Sequence, residues 1–510
     1  MAYGRALSLA QAWMNVCETQ HDQCNAIAKR TMPSRVIEIS WMSGAQEPSL
    51  RILQNPSFAH YAALSYCWGK DQRLTTTKAT IEKFSEVVSF SDLPKSLRDG
   101  VLTTCRLSLR LLWVDSLCIV QDDSIDTARE IASMPQIYQN AHITISAARS
   151  TDSEDGFLQD LSMPSAQAKV FKFPFGCPTG DLGSVILIDE PDLWDPIERR
   201  AWPLQEFLLS RRILRYGSYQ LSWSCLSAEF YENDDAGVNW YSKRDKRFPN
   251  LRRRLLDSQR QQGPHINIWG DLVEEYTRRH LKEPQDKLLA ISGIATVIGT
   301  GRHDVYMGGL WLSDLPLGLL WKVSTSPPRR KPCEYRAPSW SWASVDGVVK
   351  SFATLDVDPS LRLLSYEVMP AQQTAQYGAV KAGHIEVLGL MREFCWLADR
   401  ATLVDVETGV AIARDGENMA LTQRDFDEGM SAADMLVWCL QISPYETKYE
   451  LGPYGLILST ENGKVFQRVG MFSFDAAGFH GQHEPSFYDF HRKCQEEWAQ
   501  ACQLRRITII

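Results

Sequence analysis

Three short apolar segments, at residues 62–66, 109–114 and 142–146, constrain the fold of this chain more than any other feature. Each has the length of a strand, and the second is a nearly continuous apolar run, which suits a strand covered on both faces. Segments with the apolar spacing of helices occur at 77–88, 96–107 and 125–140. Because strands that alternate with helices favour a parallel sheet, the pattern predicts an α/β fold.

The chain has 510 residues, which exceeds one ordinary hydrophobic core, so we expect several packed units. A helix over 5–30 precedes the α/β pattern, a helical pair follows at 269–279 and 286–298, and the chain from 336 onward is mostly β in character. The predicted division is an N-terminal helix and lead-in segment, an α/β domain, a mostly helical extension and a β-rich C-terminal region, at 1–50, 51–215, 216–335 and 336–510.

Composition excludes several classes of function. The net charge is −8, and no concentrated basic face is visible, so no nucleic-acid partner is expected. No window approaches the roughly 20 apolar residues of a membrane helix. The N-terminus lacks the apolar run of a signal peptide, and the 12 cysteines are scattered singly. We therefore expect a cytoplasmic protein with reduced thiols and no membrane span.

Polar and aromatic residues follow the first two predicted strands. In open α/β sheets, ligands bind outside the carboxyl ends of the strands, where loops converge. An aromatic pair beside several carboxylates could form a pocket for a base and a ribose. Alternatively, Tyr66 and Trp68 are packing residues, and Asp122 or Asp123 caps the next helix. The candidate binding residues of these two loops are Tyr66, Trp68, Gly69, Asp115, Cys118, Gln121 and Asp122.

The helix predicted over 125–140 carries a second candidate. Its expected core face is formed by Thr127, Ile131, Met134 and Tyr138. Glu130 lies on the edge of that face, so its carboxylate is either partly buried and paired or faces a cavity. Asp126 lies farther from the face and is expected to be solvated or to serve as a first-turn residue. Pro135 predicts a kink, or an end near Ser133 followed by a restart.

Three potential metal ligands share one face of the N-terminal helix, because Cys17, His21 and Cys24 are spaced at i, i+4 and i+7. Such a face could bind zinc if a fourth ligand came from elsewhere. The sequence shows no partner with matching spacing, and small cysteines on a core-facing helix explain the pattern equally well, so no metal is assigned. Dinucleotide, Walker and Gly-x-Ser-x-Gly motifs are absent, and no cofactor is expected.

Four blocks in fixed order give the chain a specific resemblance. They are Tyr61-Ala-Ala-Leu-Ser-Tyr-Cys-Trp-Gly69, Leu112-Trp-Val-Asp-Ser-Leu-Cys-Ile-Val-Gln-Asp122, Asp126-x-x-x-Glu130-x-x-x-Met134-x-x-x-Tyr138-x-Asn140-Ala141 and Arg200-Ala-Trp-Pro-Leu-Gln-Glu206. In this order they resemble the heterokaryon-incompatibility (HET) domain of fungal proteins, which assigns that domain to 51–215. Similarity to long fungal members extends to the segments 13–24 and 337–344.

The resemblance implies a fungal effector of self/non-self recognition and programmed cell death. The HET domain is in turn distantly similar to Toll/interleukin-1 receptor (TIR) domains, which have a flavodoxin-like fold. Some TIR domains cleave NAD with a glutamate borne on a helix, which would make Glu130 the catalytic residue and NAD the substrate. Tyr66 or Trp68 would then stack on the base. The alternative is a non-catalytic signalling domain that acts by self-association or by binding a protein partner.

The fourth block adds further candidates for the binding site, namely Arg200, Gln205 and Glu206. Glu206 is a rival to Glu130 as the functional carboxylate. An ion-paired structural Glu206 is one alternative, because Arg200 and Arg212 are close in sequence. In the other, Glu206 and Arg212 turn toward the strand ends and close the same pocket.

Overall fold

The computed structural model divides the chain into two compact units, Met1–Arg252 and Arg253–Ile510. The residues that it describes are 2–25, 31–41, 44–70, 72–159, 170–176, 182–188, 194–218, 220–232, 251–252, 254–255, 266–324, 332–351, 357–373, 375–397, 402–409, 413–414, 417–418, 421–426, 434–443, 453–473, 498 and 500–510. The division into four parts made from the sequence stays a prediction.

The first unit alternates helices with short strands. Its helices are α1 Ala2–Gln20, α2 Asp22–Asn25, α3 Ile81–Glu86, α4 Lys95–Arg106, α5 Asp115–Cys118, α6 Ser124–Asn140 and α7 Trp202–Leu209, with a 3-10 helix at Pro196–Arg199. Its strands are β1 Arg35–Ser40, β2 Ser49–Gln54, β3 Ala62–Ser65, β4 Leu111–Trp113, β5 Ile143–Ser146, β6 Val170–Gly176, β7 Leu182–Ile188, β8 Arg212–Tyr216, β9 Leu221–Cys225 and β10 Glu229–Tyr231.

Eight of these strands form one sheet in the order β10-β9-β8-β5-β3-β4-β1-β2. The central pairs β3–β4, β3–β5 and β5–β8 are parallel, and the outer pairs are antiparallel. Every residue of β3, β4 and β5 is buried, as expected for parallel strands covered on both faces. The prediction of an α/β fold with a parallel sheet is therefore confirmed.

Helix α4 packs closely on the central strand. Gly100 lies in this helix, and a Cβ atom added there would come 3.0 Å from a methyl group of Leu64 in β3. The glycine thus lets helix and strand approach each other. Because β3 and β4 are parallel neighbours, the loops that follow them leave the sheet at the same edge.

Helix α6 corrects two details of the sequence prediction. It is one helix over Ser124–Asn140 with Pro135 inside it, so it does not end and restart at the proline. Asp126 is buried, accepts a hydrogen bond from the Val120 amide at 2.9 Å and forms ion pairs with Arg35 and Arg129. Of the two possibilities that the sequence left open for Asp126, the first-turn position is confirmed and solvation is wrong, because the buried Arg35 of β1 pairs with its carboxylate.

Arg35 fastens β1 to two helices. It is 7% exposed, and its Nε donates to the Cys118 carbonyl of α5 at 2.6 Å. Its guanidinium also pairs with Asp126 and lies 3.7 Å from Glu130, both on α6. A buried cation is stable only when its charge and donors are satisfied, so these contacts fix the relative positions of β1, α5 and α6.

The second unit is predominantly β, which confirms the predicted β-rich region. Its helices are α8 Ile266–Thr277 and α9 Ser292–Arg302, with 3-10 helices at Pro284–Lys287, Leu312–Asp314, Leu317–Leu319 and Trp342–Ser344. Its strands are β11 Tyr306–Met307, β12 Leu310–Trp311, β13 Trp321–Val323, β14 Val349–Ser351, β15 Arg362–Pro370, β16 Val380–Trp396, β17 Leu403–Asp405, β18 Ala413–Arg414, β19 Glu417–Asn418, β20 Leu421–Arg424, β21 Met435–Ser443, β22 Tyr454–Thr460, β23 Val465–Ser473 and β24 Gln503–Ile509.

A long strand organises the main sheet of the second unit. Strand β16 pairs with β15, β17, β21 and β24 along its length. Since β24 also pairs with β23, the strands β16, β21, β22, β23 and β24 form a closed ring of hydrogen-bonded neighbours. The buried Arg468 of β23 binds Asp425 at 2.9 Å and stacks on the Trp321 ring at 3.2 Å.

None of the helices that the structure describes has both the length and the apolar composition needed to cross a bilayer.

We predict that Arg35→Met destabilises the protein by about 3–5 kcal/mol, because it removes the only buried cation of the Asp126–Glu130 pair that the structure describes and leaves the exposed Arg129 as its remaining ion-pair partner. Urea unfolding measures this loss. The control is Arg51→Met, which removes an exposed ion pair with Glu38 (2.6 Å) on the neighbouring strand and is expected to cost about 0–1 kcal/mol. Equal effects of the two substitutions would contradict the structural role given to Arg35.

Candidate functional site

The loops after β3 and β4 meet at the carboxyl edge of the parallel sheet, as the sequence predicts. The indole Nε1 of Trp68 donates to Asp115 Oδ2 at 2.9 Å, and the Ser116 amide donates to Asp115 Oδ1 at 2.7 Å. Asp115 begins the short helix α5 directly after β4. Two residues that are 47 positions apart in the sequence thus form one contact at the strand ends.

Tyr66 extends this contact toward the third and fourth blocks. Its hydroxyl donates to Ser116 Oγ at 2.9 Å and accepts from the Gln72 side-chain amide at 3.1 Å. Its backbone carbonyl accepts from Arg200 Nη1 at 3.0 Å. Arg200 therefore reaches the same strand end as Trp68 and Asp115, which places one cation beside the aromatic pair.

Glu206 of α7 is the second carboxylate at this edge. It is 7% exposed, and burial raises its pKa to about 7. The negative charge of Asp115 raises this pKa further, while Arg200 and hydrogen bonds from Ser65 and Tyr138 lower it. Glu206 thus lies within electrostatic reach of both Asp115 and Arg200, instead of pointing away from the sheet.

The pKa of Asp115 is also raised, to about 6, mainly by burial. Hydrogen bonds from Ser116 and Trp68 and the charge of Arg200 oppose this shift. Asp115 keeps part of its surface exposed, whereas Glu206 is buried. Two carboxyl groups with raised pKa values at one edge, next to an indole and a guanidinium, are typical of sites that bind or transform a ligand.

Glu130 occupies a different environment. It is 2% exposed and accepts hydrogen bonds from Ser34 Oγ at 2.7 Å and Arg129 Nε at 3.3 Å, with Arg35 at 3.7 Å. Of the two possibilities left open by the sequence, the carboxylate is buried and paired. It lies near the Cys118 end of α5, whereas Asp115 forms the other end of this helix.

Three strand-end residues have structural partners. Asp122 is exposed and accepts from the Lys78 amide at 2.7 Å, while Asp123 caps α6 by accepting from the Ile125 amide at 3.0 Å. The Gln121 side chain donates to the Asp115 carbonyl at 3.0 Å and so supports the loop that carries the carboxylate. Gln121 therefore acts on the site indirectly.

The remaining candidate residues are either buried side chains or a glycine that the backbone conformation requires. Cys118 is fully buried, and burial raises its pKa to about 12. Gln205 is 1% exposed, and its Oε1 has no hydrogen-bond partner among the described residues. Gly69 has a φ of +80°, and a Cβ atom there would come 1.7 Å from the Asp152 carboxylate. The turn after Trp68 thus requires glycine.

Sequence reasoning missed several partners of the site. Cys67 is buried beside Arg200 and Glu206, and Ser116, Ser65 and Tyr138 donate or accept hydrogen bonds within the cluster. The sequence predicts Tyr138 only as part of the core face of α6. Its hydroxyl could not be placed from spacing alone, because its contact with Glu206 joins two helices that are distant in sequence. Arg212 does not join the cluster; its donors reach Cys17 and the His142 carbonyl.

We predict that Glu206→Gln stabilises the protein at pH 8 by about 1–3 kcal/mol and has a smaller effect at pH 5. The pKa of Glu206 is raised in the folded state, so its contribution to stability is present below the unfolded pKa and is lost as the pH rises through about 7. Urea unfolding at the two pH values measures the difference. Glu154→Gln, at an exposed position, is the control and should show none. Destabilisation by Glu206→Gln at pH 8 would contradict the prediction.

We predict that Gly69→Ala costs about 1–3 kcal/mol more than Gly44→Ala. Both glycines have positive φ, but only Gly69 has an atom, on Asp152, that an added Cβ would strike. Thermal or urea unfolding of the two variants gives the comparison. The double variant Gly69→Ala/Asp152→Ala should regain most of the difference, and failure to regain any would show that the contact with Asp152 is not its cause.

Comparison with known proteins identifies the region that carries this site. Residues 61–206 match the family model described as heterokaryon incompatibility protein (HET). Searches of curated proteins and of solved structures gave no match. The matched residues begin at the first block and end at Glu206, so they contain Trp68, Asp115 and Glu206. The chain is therefore a HET domain-containing protein, and the candidate site lies within its HET domain.

Proposed function

We propose that this protein is a fungal effector of heterokaryon incompatibility, and that its HET domain hydrolyses the nicotinamide–ribose bond of NAD at the carboxyl edge of the parallel sheet. The observation that carries the proposal is the pair Asp115 and Glu206, two carboxyl groups with raised pKa values beside Trp68 and Arg200. The match of residues 61–206 to the HET family supports a role related to heterokaryon incompatibility, and self/non-self recognition and cell death are the finer parts of this proposal.

The chemistry of NAD fits the charges of this cluster. The nicotinamide ring is a cation, which the face of a half-buried indole such as that of Trp68 attracts. Cleavage of its bond to ribose passes through an oxocarbenium-like state, which a nearby carboxylate stabilises. The guanidinium of Arg200 can bind a phosphate oxygen. The glycosidic bond breaks with its electron pair going to the ring nitrogen, so nicotinamide leaves as a neutral molecule. The oxygen of a water molecule then bonds to the ribose carbon, and the proton that this water loses passes to a carboxylate such as that of Glu206 and from there to solvent.

The strand order supports the proposal at the level of the fold. The parallel strands follow the order β4-β3-β5-β8, which matches the first four positions of a flavodoxin-like sheet. TIR domains have that fold, and the resemblance that links them to HET domains nominates Glu130 as the catalytic glutamate. Glu130 could act in this way only if its contacts with Ser34, Arg35 and Arg129 open, whereas Glu206 already faces the cluster.

Incubation of the purified full chain with NAD, followed by chromatography of released nicotinamide, tests the proposal. We predict at least a tenfold loss of release in Glu206→Gln and Asp115→Asn, because each removes a carboxylate from the site of bond cleavage. Glu38→Gln is the matched control and should retain release of nicotinamide. Glu38 is a half-buried residue of β1.

The pattern of losses separates the two glutamates. Loss in Glu130→Gln with release retained in Glu206→Gln would assign catalysis to the helix-borne carboxylate. Retention of release in all three carboxamide variants would overturn catalysis at this edge. Since burial sets the pKa of Glu206 near 7, release by the wild type should rise as the pH increases through that value, and this rise should disappear in Glu206→Gln.

A non-catalytic HET domain is the second candidate, and one observation favours it. The polar groups of Tyr66, Trp68 and Asp115 already have partners within the protein, so they can serve the fold alone. In that case function lies in self-association or in binding a protein partner. No nicotinamide release by the folded wild type, together with concentration-dependent oligomerisation in sedimentation, would support this alternative.

A further inference from the structure

Four potential metal ligands meet where the N-terminal helices contact the hairpin β9–β10. Cys17 lies in α1, His21 lies between α1 and α2, Cys24 lies in α2, and Cys225 ends β9. Their ligand atoms all lie within 4.8 Å of one another. The fourth ligand that the N-terminal spacing lacks therefore comes from Cys225, 204 residues after His21.

The separations suit a tetrahedral zinc ion. With Zn–S bonds of about 2.3 Å and Zn–N bonds of about 2.0 Å, neighbouring ligand atoms are roughly 3.5–3.8 Å apart. His21 Nδ1 lies 3.3 Å from Cys225 Sγ, which requires only a small adjustment. Cys17 and Cys24 are fully buried and Cys225 is 7% exposed, so the site is closed, as structural zinc sites are.

Contacts outside the four ligands orient them. The Phe230 ring of β10 stacks on the His21 imidazole with ring centroids 6.5 Å apart. The Ala228 amide donates to Cys225 Sγ at 3.3 Å, and Arg212 Nε donates to Cys17 Sγ at 3.2 Å. Donors directed at sulfur favour the thiolate, which is the form that binds a metal.

The positive charge of Arg212 also favours thiolates at this site. Its side chain is 1% exposed, and its donors also reach the Cys24 carbonyl at 3.3 Å and Asn25 Oδ1 at 2.5 Å. Among the described residues no carboxylate forms an ion pair with it. Buried charges in proteins are compensated by opposite charge. Three thiolates, one neutral imidazole and Zn²⁺ carry a net charge of −1, which Arg212 would balance.

We propose that Cys17, His21, Cys24 and Cys225 form a structural zinc site that clamps the N-terminal helices onto the sheet edge. Binding replaces three S–H bonds with Zn–S bonds and releases three protons to solvent, with no change in oxidation state. None of the four ligands lies within the residues that match the HET family, so the site is separate from the candidate catalytic edge.

Elemental analysis of the full chain, purified without chelators, tests this proposal. We expect about one zinc per chain. After exchange with Co²⁺, the protein should show the visible d–d bands and the thiolate charge-transfer band of a tetrahedral thiolate site. Zinc-free wild type that also fails to give these bands with added Co²⁺ would overturn the proposal.

Variants at His21 and Cys225 assign the ligands. Cys225→Ser should weaken Co²⁺ binding by about tenfold or more, whereas Cys105→Ser, a free cysteine elsewhere in the same unit, should leave it unchanged. Because Cys225→Ser could unfold the protein, the half-buried His21 provides the second test: His21→Ala should weaken binding, and His21→Cys should restore a four-ligand site. A cobalt spectrum unchanged in both Cys225→Ser and His21→Ala would exclude these residues as ligands.

Discussion

The hydrogen bond from the Trp68 indole to Asp115 joins the two loops on which the candidate site depends. It can form because β3 and β4 are parallel neighbours, so the loops that follow them leave the sheet at the same edge. Burial of every residue in β3, β4 and β5 fixes those strands in place. Helix α7, which carries Glu206, packs against α6, and Arg200 donates to the Tyr66 carbonyl at the same edge.

Ionised carboxylates at the carboxyl edge of the parallel sheet lower the free energy of unfolding. Burial raises the pKa values of both Asp115 and Glu206, so ionising these two carboxyl groups costs more free energy in the folded protein than in the unfolded chain. A purely structural carboxylate is usually compensated more fully, as Asp126 is by Arg35 and Arg129. The two groups of acidic residues therefore differ: Asp115 and Glu206 have raised pKa values, whereas Asp126 forms ion pairs with two arginines.

The fold could be predicted from the sequence to the extent that local patterns determine it. The apolar runs at β3, β4 and β5 and the helical spacing of α4 and α6 were sufficient for the parallel sheet. Strand β8 was not predicted, because Arg212 and Arg215 interrupt its apolar pattern. Both arginines contact groups from other parts of the chain, such as Cys17 and Asp195.

Individual sites could likewise be predicted only where local sequence patterns determine them. The proximity of the loops containing Trp68 and Asp115 could be predicted, because the loops at the carboxyl ends of parallel strands converge. The buried pairing of Glu130 with Ser34, the turn of Glu206 toward Tyr138, and the approach of Cys225 to His21 join residues far apart in the chain. Those contacts depend on tertiary packing, and no spacing in the sequence encodes them.

The central claim is that the loops after β3 and β4 bind NAD together, and hydrogen exchange measured by mass spectrometry tests it directly. The ligand should be an NAD analogue whose ribose ring oxygen is replaced by carbon, so that it resists hydrolysis. The account predicts slower exchange in peptides covering 64–70 and 115–121, with no change in peptides from β16 of the second unit. Unchanged exchange in both loops at a saturating concentration of the analogue would contradict it.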